Sequence, residues 1–154
     1  MKKVNKILVA CDLSGYSIQA VEYAADMAES VGAKMIIVNV INQRDLDMVG
    51  KVTHYSDKIT LESYIQETME YRSEAIAKIF EASKKDPKSY RTIYKTGVPF
   101  REILLAIEEE KADLLVMGTK GRTDLAEVLF GTTAQKMFRR CPIPLLSIRM
   151  KTDD

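Results

Sequence analysis

Histidine and cysteine are scarce in this chain of 154 residues, with one of the former, His54, and two of the latter, Cys11 and Cys141. A lone histidine with no second ligand nearby builds no metal site, and without a Ser or Cys pattern it reads as a surface residue rather than a catalyst. The two cysteines lie far apart and fit no metal or redox spacing, so reduced thiols in a cytoplasmic protein are the simplest reading. Cys11 also adjoins Asp12, whose charge disfavours a thiolate, which points to a buried and inert thiol. Nor is there an excess of charge of one sign. The 23 Lys plus Arg and 22 Asp plus Glu leave a net charge of +1. Gripping a nucleic-acid backbone as the main task needs a basic face for counterion release, so that class is disfavoured. No apolar stretch approaches the roughly 20 residues of a membrane helix. The short run Ile7 to Ala10 is interrupted by Asp12 before it could serve as a signal-peptide core. Catalytic constellations are missing as well: no Ser-His-Asp, Cys-His or paired-carboxylate arrangement assembles by spacing. Neither G-x-x-x-x-G-K-[ST] nor a G-x-G-x-x-G after the first strand is present, which makes a P-loop kinase or a dinucleotide dehydrogenase a poor reading.

What remains is an ordinary globular composition, 46% hydrophobic and 29% charged. At this length one core can form without metal or disulfide staples. No repeat, linker or low-complexity segment divides the chain, so residues 1–154 read as a single domain. Strand-like and helix-like segments alternate along it. Lys6 to Ala10 predicts a buried strand. A helix follows from about Ser17, carrying Val21, Ala24, Ala25, Ala28 and Val31 at three-to-four spacing, with Ser14 or Ser17 as its cap and Gly32 at its left-handed end. Lys34 to Val40 predicts the second strand, and Ile41 to Ile59 a long polar connection. Leu61 to Phe80 has a helical face that includes Arg72, with Thr60 as N-cap. Tyr90 to Tyr94 predicts the third strand, and Pro99 opens a helix bearing Phe100, Ile103, Leu104 and Ile107. Asp113 to Met117, a short helix through Arg139, the fifth strand Leu145 to Arg149 and a polar tail complete the series.

Strands joined through helices imply right-handed crossovers and a parallel sheet covered on both faces. The expected fold is α/β, a doubly wound five-stranded parallel sheet in the order 3-2-1-4-5 with helices on both faces. The winding then reverses between the first and fourth strands, where ligands bind beyond the carboxyl ends. The loops at that point are Asp12-Leu13-Ser14 and Gly118 to Gly131.

Gly118-Thr119-Lys120-Gly121, nine residues, and Gly131-Thr132-Thr133 form the informative pattern. Positive φ at Gly118, Gly121 and Gly131 would let the backbone approach a ligand. The first amides of the helix after Gly131, its positive end, the hydroxyls of Thr132 and Thr133 and the charge of Lys120 would together suit a phosphate. Turns and caps account for the same glycines equally well. Asp12 would accept a hydrogen bond from a base or sugar, or else cap the following helix. Lys136, Arg139 and Arg140 either complement a helix end or form a small patch for partners.

The pattern G-x2-G-x9-G-[ST] resembles the ATP-binding branch of the universal stress protein family. Ile7 to Ser17 is similar to that family's first strand, acidic residue and Ser-x-x-Ser turn. Gly97-Val98-Pro99 and Cys141-Pro142-Ile143-Pro144-Leu145-Leu146 resemble its middle turn and closing segment. The ordered set spans nearly the whole chain. By this resemblance Asp12 matches the acidic residue at the nucleoside end of ATP, and Val40 an apolar position of the adenine pocket. Met117, Gly118, Lys120 and Gly121 match the strand end and turn under the nucleotide, and Gly131, Thr132 and Thr133 the triphosphate cradle. Leu13 stands where many members have glycine.

The resemblance implies a cytoplasmic ATP-binding regulatory protein with little turnover, ATP being bound with or without Mg²⁺. A slow ATP hydrolase and a nucleotide-free dimeric module are the alternatives. A homodimer joined through the apolar fifth strand would hide a sheet edge that otherwise invites pairing. No nucleic-acid or membrane partner is expected, and the sequence does not identify protein partners.

Overall fold

Hydrophobic patterning and the turns between segments produce, among the described residues, ten elements: β1 Lys6–Ala10, α1 Gly15–Val31, β2 Lys34–Asn42, α2 Gln43–Thr53, α3 Leu61–Ala82, β3 Tyr90–Gly97, α4 Pro99–Glu110, β4 Leu114–Gly118, α5 Thr132–Arg140 and β5 Leu145–Ile148. The computed structural model describes residues 2–55, 58–121 and 129–150. All strand pairs are parallel, in the order β3-β2-β1-β4-β5. This is the doubly wound order expected from the sequence, with β1 and β4 adjacent where the winding reverses. Residues 122–128 within the glycine loop and the polar tail, residues 151–154, lie outside the described residues.

Side chains alternate across the pleat, so each strand feeds both faces. Ile7, Val9 and Ile37 pack under Ala20, Val21 and Ala24 of α1 and Ile76 and Phe80 of α3. Leu8, Ile36 and Val38 pack under Phe100, Ile103 and Ile107 of α4 and Met137 of α5. Burying each such large aliphatic side chain contributes about 1.5–3 kcal/mol. The start of the sheet is fastened by Asp113, whose Oδ2 accepts from the backbone amides of Asn5 at 3.0 Å and Lys6 at 3.1 Å. Its Oδ1 pairs with the ammonium of Lys2 at 2.9 Å.

Two expectations need correction. The long connection from Ile41 is instead the end of β2 and an eleven-residue helix, α2. The side chain of Asn42 caps it by accepting from the amide of Arg44, and only Leu46 of its residues is buried. Leu46, Val49 and Val52 recur at the three-residue spacing of a helix, but Gly50 and the polar residues among them favour a connection when read locally. The second correction is small: the face expected on the long helix holds except at its first position, with Arg72, Ile76 and Phe80 of α3 buried, Tyr64, Ile65, Thr68, Met69, Ala75 and Ile79 half-buried, and Leu61 exposed. On α1, Val31 is likewise exposed. Thr60 and Gly32 do act as caps: Thr60 forms a reciprocal capping box with Ser63, and Gly32 takes φ +68°.

Candidate functional site

Beyond the carboxyl ends of β1 and β4 lies a cavity of about 600 Å³. The nine residues Asp12, Val40, Met117, Gly118, Lys120, Gly121, Gly131, Thr132 and Thr133 all line it. Topology accounts for this meeting. Parallel strands deliver their C-terminal residues to one end, and α4 and α5 begin there, so the N-terminal residues of both helices also face the cavity.

The turn after β1 is organised by hydrogen bonds among short polar side chains. Asp12 Oδ1 accepts from the Ser14 amide at 2.9 Å and from the Ser17 hydroxyl at 2.8 Å. Ser14, not Asp12, occupies the N-cap of α1, and its Oγ accepts from the Ser17 amide at 3.2 Å. One Asp12 oxygen is therefore engaged in shaping the turn that presents the carboxylate. Leu13, between them, has φ +66°. A left-handed backbone at a non-glycine residue costs about 1–2 kcal/mol, so this chain makes with leucine a turn whose geometry glycine would take without strain. Beneath the turn the Cys11 thiol is buried, and that burial pushes its pKa up.

On the other side, β4 ends at Gly118. Its backbone is not left-handed, contrary to expectation, and neither is that of Gly131, at φ −71°. The need for glycine at 118 is steric. A Cβ there would lie 2.8 Å from Tyr16 Cβ and 2.9 Å from the Tyr16 carbonyl carbon, in the first turn of α1. Gly131 closes the loop, its amide donating to the Thr119 carbonyl at 2.8 Å. It is also the N-cap of α5, and among the described residues no side chain caps that helix. The first-turn amides of Thr132 and Thr133 thus keep the donor capacity characteristic of a helix start. The start of α4, at Val98, likewise has no side-chain cap.

Several lining residues went unnoticed as site candidates in the sequence. Arg44, Asp45 and Asp47 reach the cavity from α2, which was read as irregular. Arg72 lines it from α3 and is 5% exposed. Its guanidinium donates to Asn39 Oδ1 at 2.8 Å and to the Val40 carbonyl at 3.1 Å. Asn39, fully buried, donates in turn to the Cys11 carbonyl at 2.8 Å. This chain of donors ties β2 and α3 to the residue before Asp12. A polar Asn directly after Met35-Ile36-Ile37-Val38 was the available signal, since a buried amide needs partners. Finally, Lys136 lines the cavity from α5, and its ammonium lies 4.5 Å from the centroid of the Phe100 ring.

The fold is shared with solved structures. The hypothetical protein MJ0577 superimposes with a TM-score of 0.77 at 24% identity, over 99% of this chain and 100% of that one. A universal stress protein solved in complex with cAMP gives 0.63 at 22% identity, over 97% and 100% of the two chains. One from Archaeoglobus fulgidus, in complex with dAMP, gives 0.59 at 19%, over 96% and 99%. In sequence, universal stress protein YxiE of Bacillus subtilis is 30% identical over 94% of this chain and 99% of its own length. Universal stress protein MJ0531 of Methanocaldococcus jannaschii is 28% identical over 94% and 82%. The model of the universal stress protein family matches residues 3–149. The chain belongs to the universal stress protein family.

Proposed function

We propose that this protein binds ATP in the cavity between β1 and β4 and acts as a regulatory nucleotide-binding domain with little or no turnover. The observation that carries this reading is the convergence on one cavity of a carboxylate, Asp12, and the start of a helix without a side-chain cap, α5. In this reading Asp12 and Val40 face the nucleoside, Met117, Gly118, Lys120 and Gly121 floor the site, and Gly131, Thr132 and Thr133 receive the phosphates. A carboxylate beside a triphosphate would repel it, which places Asp12 at the opposite end of the ligand. Two structural relatives are described as complexes with cAMP and dAMP, in keeping with an adenine nucleotide here.

Mg²⁺ would be held by the phosphates and water. No group of three or more His, Cys, Asp or Glu residues suited to a metal occurs among the described residues, and Mg²⁺ commonly binds through substrate phosphates. No general base is assigned, so binding rather than hydrolysis is the proposed activity. The outer edge of β5, which pairs with no further strand among the described residues, supports a two-fold homodimer. No helix among the described residues is long and apolar enough to cross a membrane, and two free thiols suit a cytoplasmic setting. Calorimetric titration of nucleotide-stripped protein with Mg²⁺-ATP tests the reading. Saturable 1:1 binding, weakened in Thr132→Ala, is expected; no heat and no protection from thermal unfolding at millimolar ATP overturns it.

A further inference from the structure

We propose that Lys136 and Arg140 of α5, with Arg101 of α4, receive the terminal phosphate of a nucleoside triphosphate and so set the phosphate-chain length that the cavity selects. This rests on the nucleotide reading above and extends the site beyond the residues assigned there.

The argument starts from spacing. Thr132, Lys136 and Arg140 follow one another at four-residue intervals, so they share one face of α5. Side chains on a helix lean toward its N-terminus; Lys136 lines the cavity, and Arg140 stands one turn behind it, outside the lining. The structure gathers them around a single ring. The Lys136 ammonium lies 4.5 Å, the Arg140 guanidinium 5.2 Å and the Arg101 guanidinium 5.6 Å from the Phe100 centroid. Phe100 is itself 6% exposed and lines the cavity.

Three cations on one ring repel each other, and attraction to the ring quadrupole only partly offsets this. Among the described residues none of the three has a carboxylate partner, whereas Lys85, Arg91 and Lys95 elsewhere are each ion-paired. A concentrated positive charge without a counter-charge, beside a cavity that also opens onto the start of α5, fits an anion carrying more than one charge. The carboxylates lining the cavity, Asp12, Asp45 and Asp47, come from the β1 turn and α2 instead. The ligand is thereby oriented with its nucleoside toward them and its lengthening phosphate chain toward α5. On this proposal only the outer phosphates of a chain lengthening toward α5 would come near Lys136, with Arg140 and Arg101 adding charge behind it across the Phe100 ring.

The test is titration of wild type and of Lys136→Gln, Lys136→Arg and Arg140→Gln with AMP, ADP and ATP, at low and moderate salt. Wild type should prefer ATP to AMP by about tenfold or more, since a charge-assisted contact contributes on that scale. Lys136→Gln and Arg140→Gln should reduce that preference by several fold while changing AMP affinity less than about twofold, and Lys136→Arg should retain it. Packing on Phe100 as the sole role of these residues would lower melting temperature and scale the three affinities alike; that result overturns the proposal. Equal wild-type affinity for AMP and ATP also overturns it, yet leaves the nucleotide site standing. Failure of every nucleotide to bind wild type sinks both.

Discussion

Replacing Gly118 by alanine perturbs the site through one methyl group. The added Cβ would sit 2.8 Å from Tyr16 Cβ, 2.9 Å from the Tyr16 carbonyl carbon and 3.0 Å from its oxygen. Carbon atoms are at their optimum near 3.5–4.0 Å, so β4 and the first turn of α1 must separate by about 0.7 Å. Two of these three neighbours are backbone atoms, and no rotamer change relieves the contact. Overpacking of this kind costs about 1–3 kcal/mol against a total stability of about 5–15 kcal/mol. At this chain length each kcal/mol lowers Tm by about 2–4 °C, which gives an expected fall of about 2–12 °C. Scanning calorimetry on nucleotide-free protein measures it. Gly50→Ala is the control, because a Cβ there meets nothing within 4 Å and alanine is the better helix former; its Tm should not drop. The same displacement widens the cavity between Gly118 and the Asp12 turn, so Gly118→Ala should also weaken ATP binding. A Gly118→Ala protein melting within 1 °C of wild type would refute the steric reasoning.

Leu13 offers a reversed ranking. Burial alone makes Leu13→Gly worse than Leu13→Val, but at φ +66° a β-branched residue adds strain and glycine removes about 1–2 kcal/mol of it. We expect glycine within about 1 kcal/mol of wild type and valine lower by about 1–2 kcal/mol in urea unfolding; the opposite order sinks the strain argument. Asp113 governs the acid limb. The hydrogen bond from the Lys2 ammonium, joined by that from the Asn5 amide, holds its carboxyl below the usual carboxylate range. A carboxyl with a depressed native pKa stabilises the fold above its unfolded value, near 3.9, and loses that contribution as pH falls through the native one. Wild type should therefore exceed Asp113→Asn in stability at pH 6, with the two converging below about pH 4; parallel profiles would contradict this.

Sequence pattern sufficed for the strands because a parallel sheet buries both faces, and runs such as Ile7-Leu8-Val9 and Met35-Ile36-Ile37-Val38 have few alternative uses. Strand order followed from the crossovers. The glycine pattern located the cavity but misjudged why its glycines are there. Gly118 is required by the approach of Tyr16, a contact between elements roughly a hundred positions apart that no local window contains. Arg72 appeared only as one member of an apolar face, because its role depends on Asn39, which is brought to it by the crossing of α3 over β2. α2 was missed for a different reason: Leu46, Val49 and Val52 recur at three-residue spacing, but the polar residues around them and Gly50 within the segment favoured a loop reading, and only Leu46 is buried.

Locally unfavourable features are not spread evenly over this molecule. Lys84 and Lys111 also have positive φ, at +53° each, but both stand at the C-terminal ends of helices, where a left-handed residue completes the last turn. Leu13 has no such explanation, since it precedes a helix. It lies at the same end of the sheet as α4 and α5, whose starts lack side-chain caps, and as the buried Asn39–Arg72 pair. The opposite end is closed by ordinary means: the Gly32 cap and the Asp113 clamp. Each costly feature at the cavity end has a cheaper alternative that the genetic code readily supplies: glycine at 13, serine or aspartate at an N-cap, leucine at 39. A fold selected for stability alone would be expected to take some of them. Under the nucleotide-binding proposal, these costs fall where a charged, hydrogen-bonding ligand would meet the chain.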